Sequence, residues 1–349
     1  MGAPVADLSN ALSAPGVTGF AYDDANGILY LSTLSGELLR WDPSTGSFLS
    51  PVNLGGSLSS VAVSPDGSFL LVGHADTTTD SSGQEHAKID RVSVSTLAVQ
   101  SLDLPMGYSG SPSETAGVNS VAITQNGEAV VSTLGAPLNN VWTFSASAST
   151  PVYSPLNLIG SQLQVADDGQ DVLVLSVGVS PGEVEIYDSV AGKLTAMTGV
   201  PGTGRQALDI DANLAVVLTY NGNYVFDTSL NLVKNPSTLS NTAVWVGAHF
   251  SADGKDLFLL DGAHDQVIAY DTTSWAEVGA INLPAGFLSS SNPPEAEQMA
   301  VSADGRFLFI QGPDGVDTID LSAQLPSGAV SVEPAIGGDR HLFGFGRVG

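Results

Sequence analysis

Five histidines (His74, His86, His249, His264 and His341) and 36 carboxylates are the side chains of this 349-residue chain best suited to metal or acid–base chemistry, and it has no cysteine. A thiolate zinc site, a cysteine nucleophile and a disulfide framework are thereby excluded. No His-x-x-x-His pair, nucleophile elbow or dinucleotide-binding glycine loop occurs; Gly202-Thr-Gly204 reads as a turn. The densest ligand-like group is Asp80, Glu85 and His86, whose oxygens and imidazole could hold a cation of the Ca²⁺ type. Asp23-Asp24-Ala-Asn26 and Asp167-Asp168 offer oxygens too, but turn chemistry accounts for them equally well. Tyr108 and Phe287 are suited to stacking on a sugar or peptide, and Arg205 to holding a carboxylate. No catalytic set stands out.

Charge narrows the partners. Ten basic residues against 36 acidic ones give a net charge of −26. A nucleic-acid binder needs a basic stripe to neutralise phosphates, and none exists. An anionic membrane surface is disfavoured for the same reason, and no run approaches the roughly 20 apolar residues of a membrane span. The acidity serves solubility and colloidal repulsion, or matches a cation-rich partner. Few lysines and Ser/Thr/Gly/Ala-rich loops give the chain the style of secreted bacterial proteins. It is expected to be a monomer that is secreted, periplasmic or at the cell surface, its signal peptide already removed.

What must position these residues is a repeat. An apolar strand, a tight Asp/Asn-Gly turn and a second apolar strand recur as Thr18-Gly-Phe-Ala-Tyr-Asp-Asp-Ala-Asn-Gly27, Ser60-Val-Ala-Val-Ser-Pro-Asp-Gly67, Ser120-Val-Ala-Ile-Thr-Gln-Asn-Gly127 and Gln164-Val-Ala-Asp-Asp-Gly169. Ala248-His-Phe-Ser-Ala-Asp-Gly254 and Met299-Ala-Val-Ser-Ala-Asp-Gly305 continue the series, and Ala207-Leu-Asp-Ile-Asp-Ala-Asn213 completes it with Asn in place of Gly. Gly and Asn supply the positive φ that a tight hairpin needs. A third strand follows each pair, often ending in aromatic-Asp as in Trp41-Asp42, Tyr187-Asp188, Phe226-Asp227 and Tyr270-Asp271, and an outer fourth strand comes after it. Four short strands at blade-like spacing predict an all-β protein, one seven-bladed β-propeller of four-stranded antiparallel blades filling residues 1–349. The blades are expected at about 17–53, 58–104, 118–157, 161–197, 206–235, 243–283 and 297–334, with 1–16 as a ring-closing strand and 335–349 as a tail. For closure, residues 3–11 could pair with the last blade, or 327–332 could complete it alone.

The Ser-Pro-Asp-Gly and Ser-Ala-Asp-Gly turns, each followed by an apolar strand and then aromatic-Asp, resemble the YVTN-type propeller repeats. The resemblance runs from about Val17 to Pro334, although the Tyr-Val-Thr-Asn string is absent. It implies blade geometry more than function, since such repeats occur in surface proteins, lactonase-like hydrolases and periplasmic dehydrogenase subunits.

Propeller topology sends the second-to-third and fourth-to-next-first connections to one rim. The long insertions, 74–88, 105–117 and 284–297, and the shorter 134–140, 200–206 and 261–265, all fall there. That rim is the expected binding surface. It carries Asp76, Asp80, Glu85, His86, Tyr108, Glu114, Arg205, His264, Asp265, Phe287, Glu295 and Glu297. The reading that follows is an extracellular or cell-surface module binding a protein or glycan. The alternative, which rests on the resemblance, is a metal-dependent lactonase- or esterase-like hydrolase with an axial cation site; a third is a subunit docking a redox partner.

Overall fold

Each Gly or Asn turn closes a hairpin whose second strand is almost wholly apolar, and such a hairpin is stable only when both faces are covered. Stacking the hairpins face to face around an axis covers them. The computed structural model describes residues 12–14, 16–79, 81, 83, 85–105, 117–133, 141–156, 158, 162–166, 169–176, 182–201, 207–211, 213–219, 222–240, 242–284, 287–288, 299–312 and 315–324.

A short strand, β1 (Leu12–Ser13), comes first. Blade 1 is β2 (Val17–Asp23), β3 (Ile28–Thr33), β4 (Glu37–Asp42) and β5 (Ser47–Asn53); blade 2 is β6 (Leu58–Val63), β7 (Phe69–Thr79), β8 (Glu85–Ser93) and β9 (Val99–Pro105). Blade 3 is β10 (Val118–Ile123), β11 (Glu128–Thr133), β12 (Val141–Ser145) and β13 (Ser154–Leu156). Blade 4 is β14 (Gln162–Val165), β15 (Asp171–Ser176), β16 (Gly182–Asp188) and β17 (Lys193–Val200). Blade 5 is β18 (Ala207–Ile210), β19 (Leu214–Thr219), β20 (Gly222–Asp227) and β21 (Leu232–Lys234). Blade 6 is β22 (Trp245–Phe250), β23 (Asp256–Asp261), β24 (Gln266–Asp271) and β25 (Glu277–Asn282); β26 (Met299–Val301), β27 (Phe307–Gly312) and β28 (Gly315–Asp320) belong to blade 7. Every sheet is four-stranded and antiparallel, and the chain is a seven-bladed β-propeller.

Blade 7 takes its outer strand from the other end of the chain: Leu12 pairs with Val316 and Ser13 with Gly315. The described part of the closing strand is Leu12–Ser13, and residues 3–11 and 327–332 lie outside the described residues. Ring closure is reinforced elsewhere. Tyr22 and Phe309 meet with ring centroids 4.9 Å apart. The Ala303 N–H donates to Asp24 Oδ1 at 2.7 Å, and Gln311 Nε2 donates to the Val17 carbonyl at 3.1 Å.

The first strands of successive blades touch one another around the axis, and the apolar core sits between blades. The rim carrying the Asp-Gly turns is interlocked. Asn26 Nδ2 donates to the Gly67 carbonyl, and Asn126 Nδ2 to the Ser189 carbonyl, each at 3.1 Å. Asp23, read as an oxygen-rich turn, accepts from the Asn26 backbone and side chain.

One class of turn departs from glycine chemistry. In the third-to-fourth-strand turns, where blades 1 and 4 place Gly46 and Gly192, Leu97, Leu230 and Trp275 take φ of 57°, 59° and 59°. A non-Gly residue there is strained. Leu230 is buried and Leu97 and Trp275 are half-buried against the interblade core, which offsets the strain.

Candidate functional site

The elaborated rim is built around blade 2. Residues 74–88, read as a loop, are mostly strand. β7 continues to Thr79 and β8 begins at Glu85, with Thr77↔Ala87, Thr78↔His86 and Thr79↔Glu85 paired. Three consecutive β-branched threonines favour an extended backbone over a loop. Outer strand β9 follows, pairing Pro105 with His86, so three strands project from the rim.

A buried polar hub anchors the projection. His74 Nε2 lies 2.8 Å and Lys88 Nζ 3.0 Å from Asp90 Oδ2, while Ser101 Oγ donates to Asp90 Oδ1 at 2.6 Å. Burial alone would raise the pKa of Asp90, but hydrogen bonds from His74, Ser101 and Lys88 outweigh it and hold the carboxyl below its ordinary range. His74, one of the five histidines suited to metal or acid–base chemistry, is a structural member of this hub.

Asp76 is exposed, and its Oδ2 accepts the Ser57 N–H at 2.8 Å, tying the hairpin to the crossing from blade 1. Glu85 and His86 are half-buried near the tip. On the far side of the ring, His264 Nδ1 lies 2.6 Å from Asp261 Oδ2 with the imidazole about half exposed. Asp265, at φ 49°, accepts the Leu288 N–H on Oδ1 at 3.0 Å. Phe287 is half-buried against the core shared by blades 6 and 7. Asp80, Tyr108, Glu114, Arg205, Glu295 and Glu297 lie outside the described residues. The described candidates thus form two groups, Asp76/Glu85/His86 on blade 2 and His264/Asp265/Phe287 on blade 6. Among the described residues, no three His, Asp or Glu side chains come together as a metal site.

Backbones approach closely at the base of the projection. A Cβ on Gly117 would stand 1.9 Å from the Ala75 carbonyl oxygen. Gly117→Ala is expected to cost about 3 kcal/mol by overpacking. Gly199→Ala, where the nearest atom is 3.9 Å away, leaves the melting temperature unchanged. Equal thermal unfolding of the two variants would refute this close contact.

A second constellation, missed in the sequence, lies on the inner strands. Two residues before the turn that ends each inner strand, blades 1, 2, 3 and 7 carry Ala21, Ala62, Ala122 and Ala300. Blades 4, 5 and 6 carry Gln164, Asp209 and His249. The Phe250 N–H donates to Asp209 Oδ2 at 2.7 Å, and the Gln164 side chain and the Ile210 N–H also hydrogen-bond this carboxyl. His249 Nδ1 lies 3.3 Å from the same oxygen and 2.7 Å from the Phe250 carbonyl. Burial pushes Asp209 up to about 7 against the pull of the Phe250 and Ile210 donors. Aligning the seven turn phrases reveals the trio as three polar residues in a column of alanines.

No family model and no curated protein matches the chain. Among solved structures, the Kuenenia stuttgartiensis hydrazine synthase is 14% identical over 88% of this chain and 96% of that one, with a TM-score of 0.59. The β-propeller domain of Myceliophteria thermophila Cps50 (Swd1) is 12% identical over 90% of this chain and 99% of that one, with a TM-score of 0.64. At such identity the likeness establishes the propeller class alone.

Proposed function

We propose that this protein is an interaction module of the cell exterior that binds a protein or glycan ligand through the elaborated rim. One observation carries the reading: blade 2 projects three paired strands beyond a rim that also receives the longest connections, 106–117 and 283–298, while the opposite rim carries the interlocked hairpin turns and, in blade 3, one eight-residue connection, 146–153. Binding residues concentrate on connections held by a rigid framework, and the buried Asp90 hub supplies that rigidity. Glu85 and His86 at the tip suit hydroxyl or cationic groups on the ligand.

A glycan array and crosslinking to surface proteins, each run with Ca²⁺ and with chelator, test the reading. The double variant Glu85→Ala/His86→Ala is expected to weaken binding about tenfold, while Arg306→Ala on the opposite rim leaves it unchanged. Equal binding by both variants would refute the rim. A lactone screen under the same metal conditions tests the hydrolase alternative.

A further inference from the structure

Apart from the rim, the side wall of blade 4 is built unlike the others. The outer strand of a blade leaves one edge of backbone N–H and C=O groups unpaired, and proteins blunt such edges with short strands, prolines or charges. The described outer strands follow this rule. β1 has two residues and β21 three. β5 contains Pro51, and β13 has three residues including Pro155. β9 carries Asp103 and ends in Pro105, and β25 opens with Glu277. β17 is the longest of them at eight residues; like β25 it carries only a terminal charge, Lys193, and it has no proline.

Its face is also uncovered. The pairs Glu183↔Gly199, Glu185↔Met197 and Tyr187↔Leu194 place Leu194 and Met197 on the same face as Glu183, Glu185 and Tyr187. That face looks toward blade 3, since the Tyr187 hydroxyl donates to Glu128 Oε2 at 3.1 Å. Blade 3 ends in the three-residue β13, too short to cover its neighbour. Met197 is consequently 64% exposed, with Val190 at 65% and Val152 at 83% in the adjoining turns. Across the strand from Met197 lies Glu185, 4% exposed, whose Oε2 is buried and accepts no hydrogen bond among the described residues. A buried carboxyl oxygen without a donor is costly.

We propose that the outer edge of blade 4 accepts an extended segment of a partner protein as a fifth strand, apolar side chains lying over Leu194 and Met197 and a lysine or arginine reaching Glu183 and Glu185. Strand addition matches the unpaired edge. The net charge of −26 favours a cationic segment over a second copy of this chain, which would bring the same charge. This wall is separate from the rim, and the proposal stands independently of rim binding.

The test uses the full-length protein and a capped octapeptide of alternating lysine and valine, followed by fluorescence anisotropy. Saturable binding is expected, with about tenfold loss in Met197→Lys and a smaller loss in Glu183→Gln. Both variants should keep the wild-type melting temperature. A peptide of equal charge interrupted by proline should bind about tenfold more weakly, because it cannot extend the sheet. The Glu85→Ala/His86→Ala variant should bind the peptide like wild type. No binding, equal binding of the interrupted peptide, or indifference to Met197→Lys would overturn the proposal. So would a dimer in sedimentation that Met197→Lys dissolves, since the edge would then belong to a second copy.

Discussion

Asp209→Ala is expected to lose about 3 kcal/mol of stability, because it strips buried N–H donors of their acceptor at roughly 1–3 kcal/mol each. The substitution leaves the Phe250 N–H and the Gln164 amide facing a methyl group inside the protein, while the His249 ring keeps the Phe250 carbonyl. Each orphaned donor then bears its own desolvation cost. Blades 4, 5 and 6 are joined at this level through side chains, so the damage is expected at the interfaces between blades rather than within one sheet. Asp209→Asn retains an acceptor for Phe250 and should lose less than half as much. Gln164→Ala, which installs the residue that four other blades already carry, should cost about 1 kcal/mol. Asp209→Ala and His249→Ala should be non-additive, because they remove the two sides of one contact. Thermal and urea unfolding of the singles and the double decide the matter. A fully additive double, or an Asp209→Ala shift below about 1 kcal/mol, would mean the trio does not clasp the blades.

The contrast between this trio and the turns shows what was legible in the chain. Six Asp/Asn-Gly phrases and a seventh ending in Asn213 specify hairpins by local chemistry, and local chemistry is what a sequence displays. The propeller and the sidedness of its long connections followed from them. Asp209 was less visible, because a single aspartate between Leu208 and Ile210 reads as an ordinary interruption of a strand. Only the comparison with Ala21, Ala62, Ala122 and Ala300 marks it. His74 looked like a loop residue and proved to be part of the Asp90 hub, since its partner comes from a strand 16 positions away. The threonines at 77–79 carried the signal for a longer strand, which the polar residues around them obscured. Leu97, Leu230 and Trp275 show the limit of turn rules. Burial of a large side chain can hold a backbone shape for which glycine is the usual choice. Of the rim candidates, Asp76 proved to have a structural tie that spacing could not reveal.

Acidification from pH 7.5 to 5 is expected to stabilise this protein, and the cause lies in carboxyls whose burial outweighs the groups that favour their ionised form. Burial, aided by the nearby charge of Glu183, pushes Glu185 up to about 7 from 4.5. Burial raises Asp209 to about 7 from 3.8, and burial with Asp253 and Asp271 raises Asp256 to about 6 from 3.8. In each case the folded chain holds a proton to higher pH than the unfolded chain does. The folded state therefore binds more protons between roughly pH 4 and 7, and stability falls as pH rises through that window. For Glu185 the effect is about 1–2 kcal/mol after allowing for partial solvent screening. Relief of the −26 charge acts in the same direction. The opposite sign belongs to turn carboxylates. Asp42, Asp66 and Asp271 are held below their ordinary range by hydrogen bonds from Ser44, Ser68 and Ser274, so their stabilisation is present above about pH 4 and is lost below it. The two groups together place the maximum near pH 4–5 rather than at neutrality. Glu185→Gln should flatten the slope between pH 5 and 7.5 and raise the melting temperature at pH 7.5, since it removes a carboxyl that is costly to ionise there. A melting temperature that climbs toward pH 7.5, or a slope that Glu185→Gln leaves intact, would show that these buried carboxyls do not govern stability.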